Sequence, residues 1–169
     1  EEMSLEGYAV NGIAIFIDCA TNNNNRTVAD VRSYFSKCEG ALGTNGSLEF
    51  IFNRKGVFTL SSENINMSID DFEMELIDAG LEELEIDSEA ITIYCDFKDF
   101  NNMQIKLEDL KIEIITSELQ RVPNNYKKIT VEQSKNVLKL LDLLEENDDV
   151  QQVFHNMELS EEIMMAMDN

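Results

Sequence analysis

The sequence predicts an α+β protein made of two ferredoxin-like, split-βαβ domains, the second inserted in the first. Three observations point there. Short β-branched runs alternate with stretches of helical periodicity along nearly all of the 169 residues. The order β-α-β-β-α-β reads once, complete, between residues 55 and 119, and an outer pair of βαβ patterns flanks it. Charge shifts near the same borders: residues 1–60 carry 5 basic and 7 acidic side chains, residues 61–119 carry 3 and 17, and residues 120–169 carry 5 and 10. The expected division is a near-neutral discontinuous domain (1–56 plus 120–159), an acidic insert (57–119) and a Met-rich C-terminal tail (160–169).

The outer domain opens with "GIAIFIDCA" (12–20), a bulky β-branched run ended by a polar turn, hence a strand. An Asn run follows. Thr27 is placed to cap a helix, with Asp30 three residues on, and Val28, Val31, Phe35 and Cys38 share one helical face. Gly40 stands where a left-handed C-terminal stop belongs. "ALGTNGS" (41–47) is rich in turn residues, and "LEFIFNR" (48–54) reads as a second strand.

The insert begins with "KGVFTL" (55–60) as a strand. Ser68 caps a short helix through Phe72, Leu76 and Ile77, which Gly80 stops. "LEELEID" (81–87) alternates as a half-buried strand does, and a tight hairpin through "DSE" joins it to "AITIYCDF" (90–97). Asp99 to Leu110 makes a helix with Phe100, Met103 and Leu107 inward, and "KIEIITSEL" (111–119) returns as a strand. The outer domain then resumes. "LQRVPNNYKKI" (119–129) is an edge strand, because Pro123 has no N–H for a central ladder. Thr130 and Gln133 form a capping box for a helix carrying Val137, Leu141 and Leu144 on one face. "VQQVFHNME" (150–158) is the last strand, and "SEEIMMAMDN" is a short helix or a loosely packed tail.

Composition narrows the chemistry. Hydrophobic residues at 43% and charged residues at 28% suit a folded domain. No apolar run reaches the roughly 20 residues that span a bilayer, so no membrane partner is expected, and "EEMSLEGY" is no signal peptide. Cys19, Cys38 and Cys95 are odd in number and widely spaced, which argues for buried thiols in a reducing compartment such as the cytoplasm. There is one histidine, His155, and no phosphate-binding Gly-rich loop, zinc-protease helix or nucleophile elbow. We therefore expect no catalytic residues, no metal site and no cofactor. The acidic pairs, such as Asp70–Asp71, lack a calcium-loop pattern and read as solvated surface.

A net charge of -21 repels phosphate, so any contact with nucleic acid must be local. Residues 21–40 hold three of the thirteen basic side chains: Arg26, Arg32 and Lys37. Asn45, Gly46 and Ser47 lie in a small-residue loop that permits close approach, and Arg54 and Lys55 follow. These eight residues are the candidate contact with nucleic acid or the ribosome; a solvated helix face and plain turn chemistry are the competing readings.

Several motifs carry a family likeness: Asn25-Arg26-Thr27, Val31-Arg32, Phe35-Ser36-Lys37, Leu42-Gly43, Gly46-Ser47, Arg54-Lys55-Gly56, and Asp148-Asp149-Val150 with His155-Asn156. With them the chain resembles the YebC/PmpR family over nearly all of residues 5–158. The resemblance implies a three-domain, non-enzymatic regulator of gene expression. Some members are described as DNA-binding transcriptional regulators, others as acting with the ribosome during elongation. It also implies a basic, Trp-containing N-terminal domain; this sequence has no Trp and starts near the family's second domain, so it reads as a fragment. The implied partner is then DNA or ribosomal RNA, bound mainly through that missing domain, with basic ribosomal proteins as further partners of the acidic domain. The family's Gly-Pro-Gly turn is here Ala9-Val10-Asn11-Gly12. The alternative function is a ferredoxin-like module that binds a ligand or protein between its two domains.

Overall fold

A computed structural model describes residues 1–168. It contains two four-stranded antiparallel sheets with helices, an α+β fold of two compact units. One unit comprises Glu1–Asn53 and the described chain from Val122 onward; the other is Arg54–Arg121. The strands are β1 Glu2–Ala9, β2 Ile13–Ala20, β3 Ala41–Leu42, β4 Phe52–Ser61, β5 Leu81–Asp87, β6 Ala90–Asp96, β7 Ile114–Pro123 and β8 Val150–His155. The helices are α1 Asn24–Lys37, α2 Ile69–Ile77, α3 Phe100–Asp109, α4 Val131–Glu146 and α5 Glu161–Met167. Among the described residues no helix is long and apolar enough to cross a membrane.

The second unit has the β-α-β-β-α-β order expected for it, with strands arranged β5-β6-β4-β7. Alternation along β4 and β6 turns Phe58, Leu60, Ile91, Ile93 and Cys95 to one face, where Phe72 and Leu76 of α2 and Met103 and Leu107 of α3 cover them. Phe100 stacks on Phe58 at 5.0 Å. Ser68 caps α2 by accepting the Asp71 N–H at 3.2 Å, and Gly80, at φ 102°, ends that turn. The helix runs through Phe72, Leu76 and Ile77 as expected, Ile77 being its last residue and facing solvent.

The first unit's sheet runs β3-β1-β2-β8, so its strands, counted along the chain, lie third, first, second and last, whereas those of the second lie second, third, first and last. β1 takes the central place beside β2, paired in register from Glu2 with Ala20 to Ala9 with Ile13, and β3 takes the edge. The sequence showed neither. The expected strand at 48–54 is wrong for its first half: residues 48–51 form a turn, and Phe52–Arg54 join 55–60 in the single strand β4. The expected edge strand at 119–129 is likewise the end of β7, which lies at the edge of the second sheet and stops at Pro123. β7 starts only at Ile114 because Lys111 adopts a left-handed φ of 58°. The C-terminal stretch is not a loose tail: α5 is capped by Ser160 and buries Ile163 completely.

β2 is buried on both faces, which explains its unbroken apolar run. Ile13, Ile15 and Ile17 meet α1 and α4 through Val31, Phe35, Val137, Leu140 and Leu144. Ala14 and Phe16 point to the opposite face, where Leu48 and Phe52 cover them. The first unit therefore has a helix face and a loop face.

Candidate nucleic-acid interface

The start of α1 is built by a cluster that the sequence did not reveal. Asn23, not Thr27, is the N-cap; its side chain accepts the Arg26 N–H at 3.1 Å. Thr27 is fully buried within the first turn. Its hydroxyl donates to Asp149 at 2.8 Å and lies 2.8 Å from the Thr21 hydroxyl. Arg26 completes the group with an ion pair to the same Asp149 oxygen at 2.9 Å, while one of its N–H groups also reaches Asn22 at 3.3 Å. The bond from Arg26, then that from Thr27, holds the Asp149 carboxyl below the usual range. Asp149 lies between α4 and β8, and its carbonyl accepts the Ala20 N–H at 2.8 Å. One residue thus joins the end of β2, the start of α1 and the approach to β8.

Arg32 and Lys37 are exposed on α1, and no carboxylate pairs with either among the described residues. At about 100° per residue, Arg26 and Lys37 share one side of the helix, roughly 16 Å apart, and Arg32 lies about 120° round from them. α1 ends at Cys38, followed by Glu39 at φ 64°; Gly40 itself is not left-handed. Glycine is required at 40 for space instead, because a Cβ there would stand 2.7 Å from the Tyr8 carbonyl. The packing of α4 on α1 brings Lys139, like Lys37, within electrostatic reach of Cys38. Burial raises the Cys38 thiol pKa, and the ammonium groups of Lys139 and Lys37 oppose that rise. Lys139 is a cation of this surface that spacing along one helix could not find.

Asn45, Gly46 and Ser47 are exposed but belong to the loop face, across the sheet from α1. Glu6 points from β1 to that face, opposite Phe16, and is almost wholly buried. Its carboxylate accepts the N–H groups of Gly46 and Leu48, the latter at 3.0 Å. These two amides, suited to an external anion, already hold an internal one. Arg54 and Lys55 lie in the second unit: Arg54 rests over the Phe97 ring at 4.5 Å and Lys55 pairs with Glu82 at 3.4 Å. The eight sequence candidates are therefore divided between two faces of one unit and a second unit. His155 is structural in its bonding, its Nδ1 accepting the Met157 N–H at 3.0 Å while burial lowers its pKa.

A family model described as the second and third domain of TACO1/YebC matches residues 1–157. The chain belongs to the TACO1/YebC family. Its TACO1/YebC relatives include a "probable transcriptional regulatory protein" of Porphyromonas gingivalis, 49% identical over 161 residues, which are 95% of this chain and 66% of that protein. Relatives with the same name in Parabacteroides distasonis (48% over 157 residues, 93% and 64%) and Chlorobaculum parvum (44% over 169 residues, 99% and 66%) match almost as well. The chain thus spans just under two thirds of the length of these relatives. The crystal structure of a conserved hypothetical protein from Aquifex aeolicus has the same fold, with a TM-score of 0.83 and 34% identity over 97% of this chain and 67% of that one.

Proposed function

We propose that this chain is part of a non-enzymatic regulator of gene expression that acts in the cytoplasm by contacting nucleic acid, either DNA or ribosomal RNA. The observation that carries this reading is membership of a family whose relatives are named probable transcriptional regulatory proteins. The geometry supports local contact on the helix face, where Arg32, Lys37 and Lys139 stand in an otherwise anionic molecule and position phosphates. Arg26 contributes only where a phosphate replaces Asp149. Asn45, Gly46 and Ser47 supply a second, polar surface on the loop face, and Arg54 and Lys55 a third in the other unit. That second unit, with 6 basic and 17 acidic residues, suits the basic tails of ribosomal proteins.

Fluorescence anisotropy of labelled duplex DNA and of ribosomal RNA fragments tests the reading. Affinity is expected to fall steeply between about 50 and 200 mM salt. Changing Arg32, Lys37 and Lys139 together to Ala should weaken binding and flatten the salt slope, with the melting temperature retained. Absent binding, or affinity that ignores salt, overturns the proposal.

A further inference from the structure

The loop face of the first unit displays aromatic side chains on a fixed frame. Phe50 is 88% exposed at the tip of the turn between β3 and β4. That turn does not float. Leu48 and Phe52 on either side are buried against Phe16, Glu6 holds the Gly46 and Leu48 N–H groups, and Asn124 ties down the far side. The Asn124 side chain donates to the Phe50 carbonyl at 2.8 Å, and its backbone N–H donates to the Ile51 carbonyl at 2.9 Å. A phenyl ring shown to water on so constrained a turn forfeits about 2 kcal/mol of burial for no internal contact. On the same face of β1, Tyr8 lies opposite Ala14 and is 41% exposed.

Cations lie near these rings, together with the carboxylates of Glu49, next to Phe50, and of Glu158, whose N–H donates to the Lys127 carbonyl at 2.9 Å. The segment from Asn124 leads within three or four residues to Lys127 and Lys128, both exposed, and residues 122–131 contain no acidic residue. Lys127 is fixed by the 2.6 Å bond of its N–H to the Asn156 carbonyl, and its ammonium lies over Gly12 at the β1–β2 turn, close to Tyr8 in the chain. Residues 40–48 are uncharged; Glu49, adjoining Phe50, is the carboxylate of that loop. Planar apolar rings flanked by cations suit unpaired bases, whose faces stack while their phosphates meet the amines. A duplex hides those faces, and carboxylate side chains offer no ring to stack.

The geometry points to a single-strand binding surface on the loop face, with Phe50 stacking on an unpaired base, Tyr8 offering a second ring from β1, and Lys127 and Lys128, at the β1–β2 turn end of the sheet, taking phosphates. This assignment rests on the nucleic-acid reading above and gives it a strand preference and a place. Phe50→Trp tests it directly, because the chain contains no Trp and the new indole reports alone. The probes are labelled mixed-sequence RNA and DNA single strands of about 12 nucleotides, with a matched duplex as control. Indole fluorescence should be quenched by the single strands and not by the duplex. Phe50→Ala should weaken single-strand binding roughly 5- to 100-fold without altering the salt slope. Joint Lys127→Ala and Lys128→Ala changes should weaken it and lower the slope by up to about two.

The RNA and DNA arms show which strand is preferred, and quenching by either supports the surface. Single-strand binding that leaves the indole unquenched and survives Phe50→Ala overturns this assignment while the broader reading stands. Failure of the wild-type chain to bind any of the nucleic acids overturns both. Quenching by a protein partner with none by single strands also overturns the assignment.

Discussion

Glu6 shows how much one buried carboxylate can organise. It leaves β1 on the loop face and accepts two N–H groups that no strand would satisfy. Glu6→Gln keeps one good acceptor and offers an amide where the second N–H needs an oxygen. We expect a loss of about 1–3 kcal/mol in denaturant unfolding and faster exchange of the Gly46 and Leu48 amides. Asp149 makes a second case, with a pH dependence. Its pKa is depressed in the folded state by Arg26 and Thr27, so its stabilisation is complete above the unfolded value of about 3.9 and fades as pH falls through the lower folded value. Asp149→Asn should therefore melt below wild type at neutral pH, and the gap should close below about pH 4. A gap that persists unchanged at lower pH would show that ionisation is not the cause. Neither residue announced its role in the sequence, since both depend on partners far away: Glu6 on residues forty positions on, Asp149 on a threonine over a hundred positions back.

Elements whose signals are local were legible. The capping box of α4 is present as spelled, Thr130 accepting the Gln133 N–H at 3.1 Å and Gln133 accepting the Thr130 N–H at 3.0 Å. Thr130→Ala should cost about 1 kcal/mol, read from the chemical-denaturation midpoint, and an unchanged midpoint would mean that tertiary packing alone fixes that end. Val137 and Leu144, read from periodicity, are fully buried. α1 was legible in its buried face but not in its start. Thr27 looked like a cap because hydroxyls often are, yet burial and Asp149 drew it inside while Asn23 took the cap. β1 escaped notice because "EMSLEGYA" mixes two acids into its apolar residues, one of them the buried Glu6. In "LEFIFNR", the aromatic and β-branched content matched a strand, while the turn depends on Glu6 and Asn124 from elsewhere in the chain.

Across the whole molecule, charge is divided less sharply between the folded units than along the chain. The first unit holds 7 basic and 17 acidic residues and the second 6 and 17, because Arg54, Lys55 and Arg121 fall in the second. The second unit, with 68 residues, still carries the denser negative charge. Self-repulsion at net -21 should be relieved by screening, so thermal stability should rise as salt increases from about 10 to 300 mM at neutral pH. A melting temperature that falls over that range would assign more weight to ion pairs such as Lys106–Glu75 than to the excess of carboxylates. This trend is opposite in sign to that expected for nucleic-acid binding, so the two can be told apart in one buffer series.

By itself the sequence determined the α+β class, the complete βαββαβ pattern of the second unit, the capping of α2 and α4, and the family likeness. Those properties rest on residue type and short-range periodicity, which act within a few positions. Tertiary structure alone decided which strands fill the first sheet, that β1 takes a central place in it, and that Arg26 serves Asp149. It also decided that the helix cations and the Gly46 loop lie on opposite faces of that sheet. The physical reason is that pairing and burial are satisfied by whatever segment arrives with the right edge and volume. Distance along the chain sets no limit on that choice.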